Sequence, residues 1–288
     1  MKQLMITVTA GFCSLFCSAQ TDSATVNSAA DTTKPVSAFT VGVSYANNAN
    51  YYGQKAEEKI PYAAIAATYK NKSGVYFSAL AYKLLNDTGK IVSAGSLGAG
   101  FDFKLSKRWS ADISYSHSFY AGYSPFLQAS NPDNASASLQ YENWLTTKLN
   151  LDYAFGKTSD YFITLGTSKQ ISLGSICSKD LITITPSVDA VAGTQHFYQT
   201  YLTQKKLRDS VLGIILAPVT GPSPQPAGKT TTTTQVNILS YNFKCPLAYN
   251  RSRYMIELAY QLSLLSSRAE TKAGTANSFV TASFYYQF

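Results

Sequence analysis

From residue 38 onward, apolar and polar side chains trade places along the chain in runs of about ten residues, each closed by Gly, Asn, Asp, Ser or Lys. Successive side chains of a β-strand point to opposite faces, so each run presents one apolar and one polar face. The last run, SFVTASFYYQF, shows this most plainly: Val280, Ala282, Phe284, Tyr286 and Phe288 share one face, and Thr281, Ser283, Tyr285 and Gln287 share the other. The pattern predicts twelve strands, at 38–45, 61–69, 74–82, 93–105, 109–120, 135–141, 144–155, 161–171, 181–193, 236–247, 254–264 and 278–288.

No later stretch reaches the roughly 18 consecutive apolar residues that a bilayer-crossing helix requires. The other structure that satisfies every backbone amide inside lipid is a closed barrel, apolar side out and polar side in. The chain is therefore read as all-β: a transmembrane antiparallel up-and-down β-barrel of about 12 strands, within a range of about 10 to 14. Both ends of such a barrel lie on the periplasmic side, which demands an even count, with short turns on that side and long loops on the other. The connections at 70–73, 106–108, 142–143 and 249–253 fall on the short side, and those at 46–60, 121–134, 194–235 and 265–277 on the long side. The short link at 156–160 and the long one at 172–180 depart from that rule.

Directly opposed residues in an antiparallel pair share a constant index sum. A turn centred on Asn250 and Arg251 sets Tyr241 opposite Tyr260, Phe243 opposite Leu258, Cys245 opposite Ile256 and Leu247 opposite Tyr254, all outward, and Lys244 opposite Glu257, both inward. A slip of one residue would carry both charges into hydrocarbon, at about 2 to 4 kcal/mol for a lysine near the midplane.

Aromatic residues are abundant and lopsided, 21 Tyr and 15 Phe against 2 Trp, which suits strands ending in amphipathic rings. Charged residues make up only 14% and mean hydropathy is -0.08, too polar for a helical membrane protein and too poor in charge for an ordinary soluble one. Residues 1–19 read as a secretory signal peptide, with Lys2, an apolar stretch from Leu4 to Phe16 and a cut after Ala19. Residues 20–37, rich in Ser, Thr, Ala and Asp, read as a flexible periplasmic leader, and 38–288 as the barrel. Without Lys2 the chain keeps 23 basic and 16 acidic residues, a net of +7. The bases are scattered, with one cluster at Lys205, Lys206 and Arg208, which favours solvated turns and loops over a nucleic-acid surface. Of the cysteines outside the signal, Cys177 and Cys245 are a strand apart and lack metal-ligand or CxxC spacing, so both read as free thiols.

Parity places Asp112, Lys148, Asp152, Asp189, Lys244 and Glu257 on the inner face as candidate lumen-lining residues. Their mixed signs fit ion pairs bracing the wall better than a selectivity ring of one sign. His117 shares the outward parity of Ile113, Tyr115 and Phe119 and joins an aromatic girdle, while Ser116 and Ser118 take the opposite face. His196 sits among aromatics in the long outer loop. Neither forms a nucleophile and base pair along the sequence, so no catalytic, cofactor or metal residue is assigned. GSLGAGFDF, from Gly95 to Phe103, matches a nucleotide-binding glycine fingerprint only superficially, because it leads into a strand. Its Gly98 and Gly100 read instead as a thinning of the inner wall of a curved barrel. Within the outer loop at 194–235, QKKLRDSVLGIILAP, a basic stretch leading into an apolar one, is open to lying on the membrane surface, folding into the barrel mouth or packing on neighbouring loops, of which the last is favoured, and the Pro-, Gly- and Thr-rich tract after it reads as uncompacted.

The C-terminal run resembles the targeting strand of bacterial outer-membrane proteins, which ends in Phe with aromatic or apolar residues at alternate positions, here Phe284, Tyr286 and Phe288. The whole pattern resembles the porin-like outer-membrane β-barrels of Gram-negative bacteria. That resemblance implies residence in the outer membrane, contact with its lipid, recognition by the barrel-assembly machinery through the C-terminal strand, and passive or weakly selective passage of small solutes. Two alternatives stand beside it: a non-conducting barrel that acts through its outer loops, and an outer-membrane hydrolase.

Overall fold

The computed structural model describes residues 36–87, 91–122, 124–205, 235–269 and 276–288. The expected signal peptide at 1–19, most of the leader at 20–37 and the part of the long outer loop at 206–234 lie outside the described residues.

The strand segments are β1 Ala38–Ala46, β2 Tyr62–Lys70, β3 Val75–Leu84, β4 Ala94–Lys104, β5 Trp109–Tyr120, β6 Asp133–Glu142 and β7 Thr146–Phe155. They continue with β8 Ser159–Ser168, β9 Ile171–Gly174, β10 Asp180–Ile184, β11 Ser187–Gly193, β12 Asn237–Arg251, β13 Tyr254–Leu265 and β14 Ala276–Gln287. Because β8 runs on into β9 and β10 into β11, the segments build the twelve expected staves of one closed, all-antiparallel ring. β1 shuts the ring against β14, from Thr40 opposite Gln287 to Ala46 opposite Thr281. Closure pairs the edge groups that an open sheet would present.

The broken staves have a chemical cause. Pro186 interrupts one of them, and Pro246 stands in the neighbouring β12 at the same level, so two N–H donors are missing where the ladder would continue. Thr185 still donates its N–H to the Pro246 carbonyl (3.0 Å) and Lys169 to the Pro186 carbonyl (3.1 Å), which keeps the staves aligned across the gap.

One hairpin differs from its expected register. Cys245 lies opposite Tyr260, Leu247 opposite Leu258 and Arg251 opposite Tyr254, so the turn falls on Ser252 and Arg253, later than expected. The displacement is even, and even displacements leave every side chain on its original face; face alternation alone cannot detect them. Lys244 consequently stands opposite Gln261 and not Glu257.

The outer surface is apolar, with Ile65, Leu97, Ile113, Leu151, Leu165 and Leu258 exposed across its middle. Rings mark both borders of that band. On the side of the short turns, Phe39 meets Phe288 (5.7 Å between centroids), Phe288 meets Tyr286 (4.8 Å) and Trp109 meets Tyr141 (4.8 Å). On the loop side, Tyr153 stacks with Tyr161 (4.7 Å) and Phe155 (5.1 Å). Along β5, the climb from Trp109 to His117 is about 26 Å of strand, or about 20 Å along the barrel axis at the usual tilt. That height, between ring positions inside the two girdles, is a little less than the apolar band of about 25 Å in a bacterial outer-membrane barrel.

Inside, the glycines of β4 allow one close approach. A Cβ on Gly100 would lie 2.3 Å from the phenol of Tyr76, a buried side chain that crosses the inner wall. We expect Gly100→Val to destabilise the folded barrel by about 1 to 3 kcal/mol through overpacking, read as a lower urea midpoint. An unchanged midpoint would mean that Tyr76 swings clear.

Candidate functional site

The end of the barrel facing the long loops is filled by protein. The connection after β1 carries a tight hairpin in which Tyr51 N–H donates to Gln54 O (2.8 Å) and Gln54 N–H to Tyr51 O (2.9 Å). Its central residues, Tyr52 and Gly53, have φ of +52° and +84°. Glycine adopts that geometry freely, but a tyrosine pays about 1 to 3 kcal/mol for it, so the surroundings must hold Tyr52 in place. They do so from several staves: Ser240 Oγ of β12 donates to Tyr52 O (2.8 Å), Asn277 Nδ2 of β14 to Gly53 O (3.0 Å), and the Tyr52 ring stacks on Phe162 of β8, across the mouth, at 3.7 Å. The loop therefore reaches from β1 and β2 across the mouth to β8 and β12.

A second segment enters after β11. Residues 196–205 are helical, and the first turn of a helix leaves backbone N–H groups without partners inside the helix. Asp160 at the start of β8 meets them: its carboxylate, fully buried, accepts from His196 N (2.8 Å), Phe197 N (2.9 Å), Thr194 Oγ1 (2.6 Å) and Asn131 Nδ2 (2.7 Å). A carboxylate at a helix N-terminus also suits the positive end of the helix dipole. The helix then buries Phe197, Tyr198 and Tyr201, with Phe197 edge-on to Tyr51 at 4.6 Å. Lys205 hydrogen-bonds Glu57 of the first loop, and that contact raises the lysine above its ordinary pKa.

The third segment is the connection between β5 and β6, where Phe126 packs against Tyr82 (5.8 Å) and Tyr120 (6.0 Å), and Asn131 supplies the donor to Asp160 already described. These loops and the inner ends of β2, β3, β8 and β12 form one apolar cluster. A water-filled mouth would leave such rings wet; here Tyr52, Phe162, Phe197 and Leu239 are almost fully buried.

Below this plug the inner wall turns polar. Lys244 Nζ lies 3.3 Å from Asp189 Oδ2, and Asn242 Nδ2 donates to the same oxygen at 3.3 Å. Asn150 Nδ2 donates to Asp152 (2.5 Å) and the Tyr76 hydroxyl to Asp112 (3.1 Å). Glu257 is buried on β13, and half-buried Lys148 stands opposite Gln140 on β6. The candidate lumen-lining residues thus sit at several places around the wall and do not converge on one point. Lys70 and Asp102 (3.1 Å) add an ion pair to this wall. The parity of Phe101 and Phe103 already assigns Asp102 inward.

The two histidines have separate surroundings. His117 faces outward at the upper ring, with Nδ1 2.7 Å from Asp133 Oδ1, an oxygen that also accepts from the Tyr115 hydroxyl (2.5 Å). Ser116 and Ser118 take the other face. His196 serves the helix start at Asp160. Cys177 and Cys245 are both free and exposed, and among the described residues no group of three or more His, Cys, Asp or Glu side chains is placed to hold a metal ion.

Chain folded into the barrel mouth is one reading of 204–218, a stretch that lies almost wholly outside the described residues; the segments that do fill the mouth were not singled out from the sequence. Their residues lie in loops without period, and the signal available was a concentration of rings in NYYGQ, at 50–54, and HFYQTY, at 196–201.

In comparisons with known proteins, no family model and no curated protein matches the chain. Solved structures do. The KdgM porin aligns over 86% of this chain and 99% of its own, at 10% identity and a TM-score of 0.48. An outer membrane channel from Pseudomonas putida F1 aligns over 91% of this chain and 100% of its own (10% identity, TM-score 0.44). LpxR from Salmonella typhimurium aligns over 86% and 99% (8% identity, TM-score 0.43).

Proposed function

We propose that this chain is an outer-membrane barrel forming a pore for small hydrophilic solutes, closed in the observed state by its own loops. One observation carries the reading: a wall apolar outside and polar inside, closed at its outer end where loop rings, Tyr51, Tyr52, Phe126 and Phe197, pack on inward rings of the wall such as Phe162 and Tyr82. Loop groups can leave without breaking the ring of strand hydrogen bonds, so closure is reversible at modest cost. The bracing pairs Lys244 with Asp189 and Lys70 with Asp102 keep opposite charges side by side on the wall, which favours weak selectivity over strong. The outward ridge of Phe284, Tyr286 and Phe288 on β14 is, in this reading, the surface by which the assembly machinery takes hold of the chain.

Proteoliposome swelling tests the pore. Wild-type protein should admit pentose-sized solutes slowly and trisaccharide-sized ones more slowly still, and variants that release the plug should admit both faster. Liposomes that stay inert with the wild type and with released variants alike would defeat the pore and favour a non-conducting barrel, the reading to which the depth of the aromatic plug lends support. Lipid turnover that disappears in His117→Ala would favour a hydrolase instead, since Asp133 orients that imidazole.

A further inference from the structure

Among the described residues, charge is distributed unevenly about the barrel. The short turns carry Lys72 after β2 and Lys107 and Arg108 between β4 and β5. The same rim gains Lys169 and Lys179 beside β9, Arg251 at the end of β12 and Arg253 in the turn after it. Among the described residues, Lys72, Lys107, Arg108, Lys179 and Arg253 have no carboxylate within ion-pair distance. The carboxylates at this level are otherwise engaged. Glu142 accepts from Gln140 Nε2 (2.8 Å) on the inner face. Asp180 is held below the ordinary carboxylate range, chiefly by the N–H of Cys177 (2.9 Å), and binds its own turn. At the opposite end, by contrast, 6 described Lys and Arg residues face 5 described Asp and Glu residues, and Lys205 hydrogen-bonds Glu57.

These cations stand immediately beneath the lower aromatic ring. Trp109 follows Arg108 directly, and Lys169 lies 5.5 Å over the ring of Trp144. Aromatic girdles settle at the headgroup level of a bilayer, so charges one or two residues further out meet the phosphates. Exposed cations without counter-charges would repel one another in water. We propose that this rim is a binding surface for the phosphodiester headgroups of an anionic lipid leaflet, which supply the missing counter-charge and fix the depth of the barrel. The inference rests on the membrane reading given above. It adds a lipid class and names the residues that select it: the outward apolar band is indifferent to headgroup charge, whereas the rim is not.

The protein carries its own reporter, because its 2 tryptophans, Trp109 and Trp144, both lie at this rim. The experiment measures quenching of their fluorescence in the folded full-length barrel by lipids brominated high in the acyl chains. Brominated phosphatidylglycerol is compared with brominated phosphatidylcholine in mixed vesicles. We expect the anionic lipid to be preferred by at least fivefold in about 0.02 M salt, about the effect of one cation at an anionic surface, and the preference to fall towards one in about 0.5 M salt. The triple variant Lys72→Gln, Lys107→Gln, Arg108→Gln should lose most of the preference, whereas Lys55→Gln, Lys59→Gln, Lys157→Gln, with equal loss of charge at the loop end, should keep it. Should the rim variant not fold, the salt titration of the wild type decides the matter alone. A wild-type preference near one at low salt, a preference that persists at high salt, or equal losses in the two variants would overturn the proposal. So would inorganic phosphate reproducing the effect in neutral vesicles, since a free anion would then suffice. Absence of quenching by either brominated lipid would instead strike at the membrane reading itself.

Discussion

Asp160→Ala is expected to release the outer plug while leaving the barrel standing. The carboxylate receives the N–H groups of His196 and Phe197, the Thr194 hydroxyl and the Asn131 amide, and it is fully buried. Removing it strands those donors in a site that water does not reach, and each stranded group costs about 1 to 3 kcal/mol. Some donors will find new partners, so a net loss of about 3 kcal/mol in loop docking is the working figure, roughly a hundredfold in the ratio of released to docked plug. The ladder is untouched, because Asp160 contributes a side chain and not a strand bond to the plug. Protease cleavage within 194–205 under native conditions should accelerate by about that factor, since cleavage tracks the open population when reclosing is fast. Solute entry into proteoliposomes should rise with it, while heat-modifiable gel mobility stays that of a folded barrel. Cleavage at the wild-type rate would show that the helix is held by its rings alone.

Phe162→Ala attacks the same plug through packing. This ring stacks on Tyr52 at 3.7 Å, lies 5.9 Å from Phe197, and is 1% exposed. Truncating a buried phenylalanine typically costs about 3 to 5 kcal/mol, part transfer and part cavity. Here the loss falls on the loops, because Tyr52 sits at φ +52° and loses the ring that holds it there. The first loop should relax outward, and conductance in planar bilayers should increase with a lower threshold of solute size. A double-mutant cycle with Tyr52→Ala should return a coupling of about 0.5 to 1.5 kcal/mol for the stacked pair. Independence of the two substitutions would mean that the stack does not hold the hairpin.

Between them these substitutions separate the two elements of the closure, one polar and one aromatic. Asp160 fixes where the helix begins; Phe162 and Phe197 provide the surface against which Tyr51 and Tyr52 rest. Either loss should loosen both loops, since Tyr51 lies edge-on to Phe197 and Lys205 contacts Glu57.

The staves were legible in the sequence because a barrel wall imposes a period of two on nearly every residue it contains. Strand β5 shows the strength of that constraint: Trp109, Ala111, Ile113, Tyr115, His117 and Phe119 face outward and the residues between them inward, and the expected and observed limits coincide. Register was less legible. In β12 and β13 a displacement by an even number of residues preserves every face, and only the position of the turn, at Ser252 and Arg253, distinguishes the alternatives. Parity likewise assigns faces without saying which charges meet, so Lys244 lies against Asp189 on β11 and not opposite Glu257. The interruptions between Ser168 and Ile171 and between Ile184 and Ser187 were hidden inside continuous runs, although Pro186 was their visible cause.

The plug was not legible for a different reason. Loop residues have no periodic neighbours to constrain them, and the contacts that matter join Tyr52 to Phe162 and Asn131 to Asp160, far apart along the chain. Asp160 itself stands at the edge of a short link and looks like an ordinary turn residue until the helix it caps is seen. Rings in loops are the transferable clue, since an aromatic side chain outside the wall needs a surface to cover it.

The most direct measurement is a spin-label scan along β7, residue by residue from 146 to 155, with Cys177 and Cys245 replaced by serine and the protein folded into vesicles. Labels at 147, 149, 151 and 153 should show high access to oxygen dissolved in lipid and low access to a water-soluble nickel reagent, while those at 148, 150 and 152 should show low oxygen access. Uniform access along the strand, or odd positions shielded from both reagents as in a sheet packed face to face against another, would contradict a closed ring with its apolar face in lipid.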